Sequence, residues 1–133
     1  MTGKDSVFLL DTNIILGFLK GDPKISEFFH QQPTNSIPVV SQITRMELLG
    51  FPNITAEEES CINRFLSFTK ILPITDIICD QAILLRRKTR LKLPDALIAA
   101  TAISSKLILV SCDSDLLSHV ENLQSINPAQ IYS

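Results

Sequence analysis

Two uninterrupted apolar runs constrain this chain most. Val7-Phe8-Leu9-Leu10 stops at Asp11, and Leu107-Ile108-Leu109-Val110 is followed within three residues by Asp113. A strand that is apolar at every position, rather than at every second one, is buried on both faces, as in a parallel sheet covered by helices on either side. The rest of the chain supplies those helices. Strands are expected at 6–10, 37–40, 71–74 and 107–110, with a small edge strand at Ser125-Ile126. Helices are expected over Thr12–Lys20 and Pro23–Gln32, from an N-cap at Ser41 to Gly50, and after the capping box Thr55-Ala56-Glu57-Glu58. Further helices should follow a cap at Asp76, run from Pro94 to Ser104, and span Asp113 to Val120. Strands alternating with helices predict an α/β domain with a central parallel sheet. Right-handed crossovers then bring the carboxyl ends of the strands to one edge.

Four acids stand where such a fold places its crevice. Asp11 and Asp113 follow strands, Asp95 opens the helix after Pro94, and Glu47 lies within Ser41-Gln42-Ile43-Thr44-Arg45-Met46-Glu47-Leu48-Leu49. Open α/β sheets bind ligands at this edge. Carboxylates gathered there repel one another, which raises their pKa values unless a cation sits among them, and a hard ion such as Mg²⁺ or Mn²⁺ suits the all-oxygen donor set. Each acid also has a purely structural reading. Asp11 and Asp113 can cap helices, while Asp95 and Asp115 suit the first helical turn. The two kinds of role are compatible. Glu47 has Ile43, Gly50 and Phe51 as helical neighbours and so is not expected on a plainly solvated face. Thr12, Asn13, Thr44 and Ser111 lie beside the acids and can orient carboxylates or water; each alone also reads as a cap or turn residue.

Lys plus Arg number 12 against 14 Asp plus Glu, a net charge of −2, so nucleic-acid contact must come from a local patch. The dense basic run holds Arg86, Arg87, Lys88, Arg90 and Lys92, immediately before Pro94-Asp95. It reads either as a solvated helix end or as a phosphate-contacting rim that Arg45 would join. His30 and His119 read as surface residues. Cys61, Cys79 and Cys112 have no metal-like spacing and suit a reducing compartment, with Cys112 a buried, inert thiol. No apolar stretch has membrane-spanning length, and the first run is too short for a signal peptide, so a cytoplasmic protein without membrane contact is expected. At 133 residues, a single domain over 1–133 is expected. The segment Asn13-Ile14-Ile15-Leu16-Gly17-Phe18-Leu19 is apolar nearly all round, which predicts cover from a second subunit or a partner.

With these residues the chain resembles the PIN-domain nucleases, in particular the VapC-type toxins of bacterial toxin–antitoxin pairs. The resemblance rests on four segments in order: Val7 to Asn13, Ser41 to Leu48, Pro94 to Ala102, and Leu109 to Leu116 with Asp113 at the fourth acidic position. It departs at Leu116, where an aromatic is common, and at Ser111, where Thr is common. The resemblance implies a three-layer α/β/α domain, Mg²⁺- or Mn²⁺-dependent cleavage of RNA, a homodimer and a cognate antitoxin. Within it, Asp11 and Asp95 hold the metal directly. Asp113 completes the shell directly or through water, and Glu47 orients water or binds a second ion. Asp115 stands just outside this set.

Other functions remain as alternatives. A haloacid-dehalogenase-like phosphatase would carry a second Asp two residues after the first, where this chain has Asn13. A phosphorylated receiver domain would want an acidic pair after the first strand, and Asp11 stands alone. An inactive PIN-like module that binds RNA or protein is the non-enzyme reading.

Overall fold

The computed structural model describes residues 7–131, which form a five-stranded, all-parallel sheet. Along the chain the elements are β1 (Phe8–Leu10), α1 (Thr12–Leu19), α2 (Pro23–His30), β2 (Val39–Ser41), α3 (Gln42–Leu49), α4 (Ala56–Leu66) and β3 (Lys70–Leu72). They continue as α5 (Asp76–Lys88), α6 (Leu93–Ser104), β4 (Ile108–Val110), α7 (Ser114–His119), β5 (Ser125–Ile126) and α8 (Pro128–Ile131). The strand order is β3-β2-β1-β4-β5, so β1 and β4 are neighbours, in register from Phe8↔Ile108 to Leu10↔Val110.

The continuous apolar strands are explained by two cores. Successive side chains leave a strand on opposite faces. Leu9, Val39 and Leu109 share one face and pack with Ile78 and Ala82 of α5, the alanines of α6 and Leu116 of α7. Leu10, Val40 and Val110 share the other face, with Ile14 and Ile15 of α1, Phe28 of α2 and Ile62 of α4. Each fully buried Leu, Ile or Val contributes about 1.5–3 kcal/mol. In α6, every residue from Ala96 to Ala102 is buried. Its one polar member, Thr101, is satisfied by donating to the Leu97 carbonyl at 2.7 Å. The stretch from Ala96 to Ala102 is held from all sides, and it anchors the turn before it, where Asp95 sits half-buried.

The apolar first helix corrects the sequence reading at Ile14 and Ile15. Ile14 and Ile15 are 0% exposed within this one chain. Phe18 is half-buried against Phe29 and Phe65, with ring centroids at 4.7 and 5.6 Å. Only Leu19 among these apolar residues is exposed. Ile14 and Ile15 are thus covered within the chain, in one core with residues of α2 and α4. Gly17 permits the close approach of α1 to α2, since a Cβ there would run into the end of the Ile25 side chain.

Element boundaries moved where proline or a stronger cap intervened. Pro38 has no N–H for the ladder, so β2 begins at Val39 rather than at 37 and extends to Ser41, which also N-caps α3. Likewise β3 ends before Pro73. The cap of α5 is Thr75, whose hydroxyl accepts from Ile78 N, and Asp76 becomes the first helical residue. Thr55 and Glu58 form the expected capping box. The short α8, which packs against α2, had no signal we read. Ser6, the first residue of the expected strand at 6–10, lies outside the described residues. Among the described residues no helix is long and apolar enough to cross a membrane.

Candidate active site

The point between β1 and β4 is where successive connections diverge to opposite sides of the sheet, and a crevice opens there beyond the strand ends. Asp11 stands at that point. It is 5% exposed, its backbone N–H donates to the Val110 carbonyl at 2.9 Å, and it N-caps α1. Its Oδ1 accepts from Thr12 N at 2.8 Å, and its Oδ2 accepts from the Ser111 hydroxyl at 2.7 Å and from Asn13 Nδ2 at 3.3 Å. These donors favour the charged form, but burial outweighs them. Together with the nearby charges of Asp95 and Glu47, it raises the Asp11 pKa from 3.8 to about 6.

Ser111 and Asn13 tie the two strand ends together. The fully buried Ser111 hydroxyl has one proton, given to Asp11, while its oxygen accepts from Asp113 N at 3.0 Å. Asn13 Nδ2 is also 3.4 Å from that oxygen, and Asn13 Oδ1 accepts from Cys112 N at 3.1 Å. Cys112 itself is half-buried rather than buried, and burial pushes its thiol pKa up. Asp113 N-caps α7, accepting from Leu116 N at 3.2 Å.

The remaining acids approach on helices. Asp95, half-buried, has its pKa raised, first by burial and then by the charges of Asp113 and Glu47, with Lys92 opposing. Glu47 is exposed, which corrects the expectation drawn from Ile43, Gly50 and Phe51. Phe51 is itself 63% exposed and covers nothing. Glu47 is nonetheless held: the Thr12 hydroxyl donates to its Oε1 at 2.6 Å, and the buried Thr44 hydroxyl stands 3.3 Å from that of Thr12.

The four acids therefore form one electrostatic cluster, in which Asp11 feels Asp95 and Glu47, and Asp95 feels Asp113 and Glu47. Among the described residues no three His, Cys, Asp or Glu side chains are closed into a ready-made metal cage. The donor set still fits a hard divalent cation. It is all carboxylate, and burial, with the neighbouring charges of Asp95 and Glu47, raises the Asp11 pKa, a cost that a bound cation would offset. Glu47, Asp95 and Asp113 are exposed or half-buried, which leaves them accessible from solvent.

The basic run divides. Arg87, Lys88 and Arg90 line a cavity of about 670 Å³ together with Asp115 and His119. Arg86 is exposed and is not among its lining residues. Lys92 acts on Asp95, and Arg45 donates to Gln42 of its own helix at 3.1 Å. Asp115 is exposed and belongs to the basic cavity rather than to the network around Asp11. His119, read as a surface residue, is exposed as expected but also joins this cavity. Its spacing of four from Asp115, which puts both on one helical face, was the available signal.

The PIN domain family model matches residues 8–123. Among solved structures, the chain is similar to a toxin–antitoxin complex from Klebsiella pneumoniae at 28% identity and a TM-score of 0.75, covering 90% of this chain and 96% of that one. It is similar to VapBC-1 from nontypeable Haemophilus influenzae at 25% identity and a TM-score of 0.77, covering 92% and 98%. DNA-bound VapBC from Salmonella typhimurium, at 22% identity, a TM-score of 0.80 and coverage of 93% and 99%, shares the fold. No curated protein matches the chain.

Proposed function

The chain belongs to the PIN-domain family, and from that premise we propose that it is a metal-dependent endoribonuclease, the toxin of a toxin–antitoxin pair. PIN domains are typically nucleases. The observation that carries the reading is the electrostatic cluster of Asp11, Glu47, Asp95 and Asp113 at the β1–β4 crevice.

In this reading Asp11 and Asp95 hold Mg²⁺ or Mn²⁺ directly, and Asp113 completes the set. The ion supplies the positive charge that an anionic phosphodiester needs to accept attack by water. The chain's own residues do the positioning. Ser111 and Asn13 fix the Asp11 carboxylate by Oδ2, and among the described residues Oδ1 accepts only from the Thr12 N–H. Thr12 holds Glu47 by Oε1, so that Oε2 is the atom available to take a proton from the attacking water. The expected products carry 5′-phosphate and 3′-hydroxyl ends. The partner proposed is a cognate antitoxin, because the similar structure from Klebsiella pneumoniae is described as a toxin–antitoxin complex. A homodimer, a single domain over 1–133 and a cytoplasmic location complete the proposal.

One observation favours a second reading, an inactive PIN-like module that binds RNA or protein: the acids are not preassembled into a metal cage among the described residues. The phosphatase reading gains nothing, since Asn13 is engaged with Asp11, Ser111 and Cys112. An RNA cleavage assay with Mg²⁺ and then with excess chelator separates the first two. Cleavage that the chelator abolishes supports the nuclease. RNA binding without cleavage, at any divalent ion, supports the module.

A further inference from the structure

The cavity that Asp115 lines gathers basic residues on a chain whose net charge is −2. Arg87 and Lys88 come from the last turn of α5, Thr89 and Arg90 from the loop to α6, and Asp115 and His119 from one face of α7. Among the described residues Arg87, Lys88 and Arg90 make no ion pair, and these three cations share the cavity with one acid, Asp115. A second cavity of about 220 Å³ shares Lys88, Thr89 and His119 and extends toward Asn122. The acids are close at hand in the chain: Asp115 in the cavity wall is two residues from Asp113, a span of at most about 7 Å.

His119 adds a second kind of chemistry. Its Nδ1 is 2.7 Å from the Asp115 carbonyl oxygen. A carbonyl only accepts, so Nδ1 carries the proton and Nε2 is the ring nitrogen without a partner among the described residues. In the neutral ring that nitrogen is an acceptor. Guanidinium and ammonium groups match phosphate oxygens, and a lone imidazole acceptor matches a hydroxyl donor. The ligand that offers both on one repeating unit is a ribose-phosphate chain, whose 2′-hydroxyl distinguishes RNA from DNA.

We propose that the cavity formed by Arg87, Lys88, Arg90 and His119 is a ribose-phosphate subsite, which holds the RNA strand next to the bond to be cut and selects RNA over DNA. It rests on the ribonuclease reading for its place in the reaction, but its binding chemistry stands apart from cleavage. The cations take phosphate oxygens, and His119 Nε2 accepts from a 2′-hydroxyl.

The test is fluorescence anisotropy without divalent ions, using labelled oligouridylate and the matching oligodeoxyuridylate over a range of salt. The proteins are the wild type, R87Q/R90Q, H119A and a control, K20Q/R64Q, with the same charge change at exposed sites outside the cavity. R87Q/R90Q should lower the slope of log affinity against log salt by about 1.4 for both oligomers, two phosphate contacts on a single strand. H119A should leave the slope and cost RNA alone about fivefold, the worth of one hydrogen bond. An unchanged slope in R87Q/R90Q, an equal loss in K20Q/R64Q, or an RNA preference intact in H119A would overturn the proposal. So would binding of poly-glutamate that R87Q/R90Q abolishes while RNA affinity stays the same, which assigns the cavity to a protein partner. Chelator-sensitive cleavage by the same wild-type protein is scored separately. Its absence with the binding pattern intact sinks the ribonuclease reading and leaves the subsite standing, whereas a wild type that binds no RNA sinks both.

Discussion

The Ser111 hydroxyl donates to Asp11 Oδ2 at 2.7 Å across the seam between β1 and β4, and the same oxygen accepts the Asp113 backbone N–H at 3.0 Å. One small side chain thus holds a buried acid and sets the start of the loop carrying a second. Ser111→Ala removes both bonds and leaves a buried carboxylate with fewer donors. We expect a loss of about 1–3 kcal/mol in stability. We also expect a ten- to hundredfold loss, roughly, in metal affinity or activity, as for other groups that orient ligands. A Mg²⁺ titration of RNA cleavage reads this out, and an unchanged half-saturation point would contradict it.

Thr12 is a positioning residue for Glu47 through its 2.6 Å hydrogen bond. Thr12→Val keeps the shape and removes the donor. Cleavage should fall by about tenfold or more with the Mg²⁺ half-point little changed, and Thr12→Ser should restore most of it. Equal damage from Val and Ser would mean that the methyl group, not the hydroxyl, matters.

The raised pKa of Asp11 makes a prediction about pH. Its folded value is about 6, against 3.8 ordinarily, so the folded chain binds the proton more tightly than the unfolded one. The stabilisation is fully present below about pH 4 and is lost as pH rises through about 6, at up to about 1.4 kcal/mol per pH unit between them. Asp95 shifts in the same direction. In chelator, the Tm contribution from these acids should fall across that window. Mg²⁺ should restore it at neutral pH and have little effect below pH 5. A Tm gain from Mg²⁺ that persists undiminished at pH 4.5 would place the ion elsewhere.

Along α1, Ile15 and Leu19 should behave oppositely. Ile15 is 0% exposed, so Ile15→Ala should cost about 2–5 kcal/mol in denaturant unfolding. Leu19 is 39% exposed, and Leu19→Ala should stay within about 1 kcal/mol. Similar losses at both positions would show that Leu19 is covered in solution by something outside this chain.

Much of the fold was legible because its signals are local. Continuous apolar runs gave the doubly covered strands, and Ser41 and Thr55 capped helices as their side chains dictate. The errors came from questions that local signals do not address. Whether α1 is covered by its own chain depends on where α2 and α4 pack, which no periodicity in Asn13–Leu19 reveals. Glu47 was placed off the solvated face through Phe51, yet Phe51 lies past the end of α3 and is itself exposed. The acids were legible as a set because each sits at a strand end or on a helix near one. The division of the basic run was not, since Arg87 and Arg86 differ only in which side of one helical turn they leave. His119 joins the cavity because the ends of α5 and α7, distant in sequence, both line it.

The measurement that bears most directly on the central claim is RNA cleavage at fixed Mg²⁺ by Asp11→Asn, Asp95→Asn, Asp113→Asn and Asp115→Asn, each removing a charge at nearly constant size. The account predicts no cleavage for Asp11→Asn and Asp95→Asn, a strong loss for Asp113→Asn and a milder one for Asp115→Asn. A dead Asp115→Asn beside a near-normal Asp113→Asn would move the fourth acid. An Asp95→Asn protein that keeps full, chelator-sensitive activity would contradict the metal-nuclease mechanism itself.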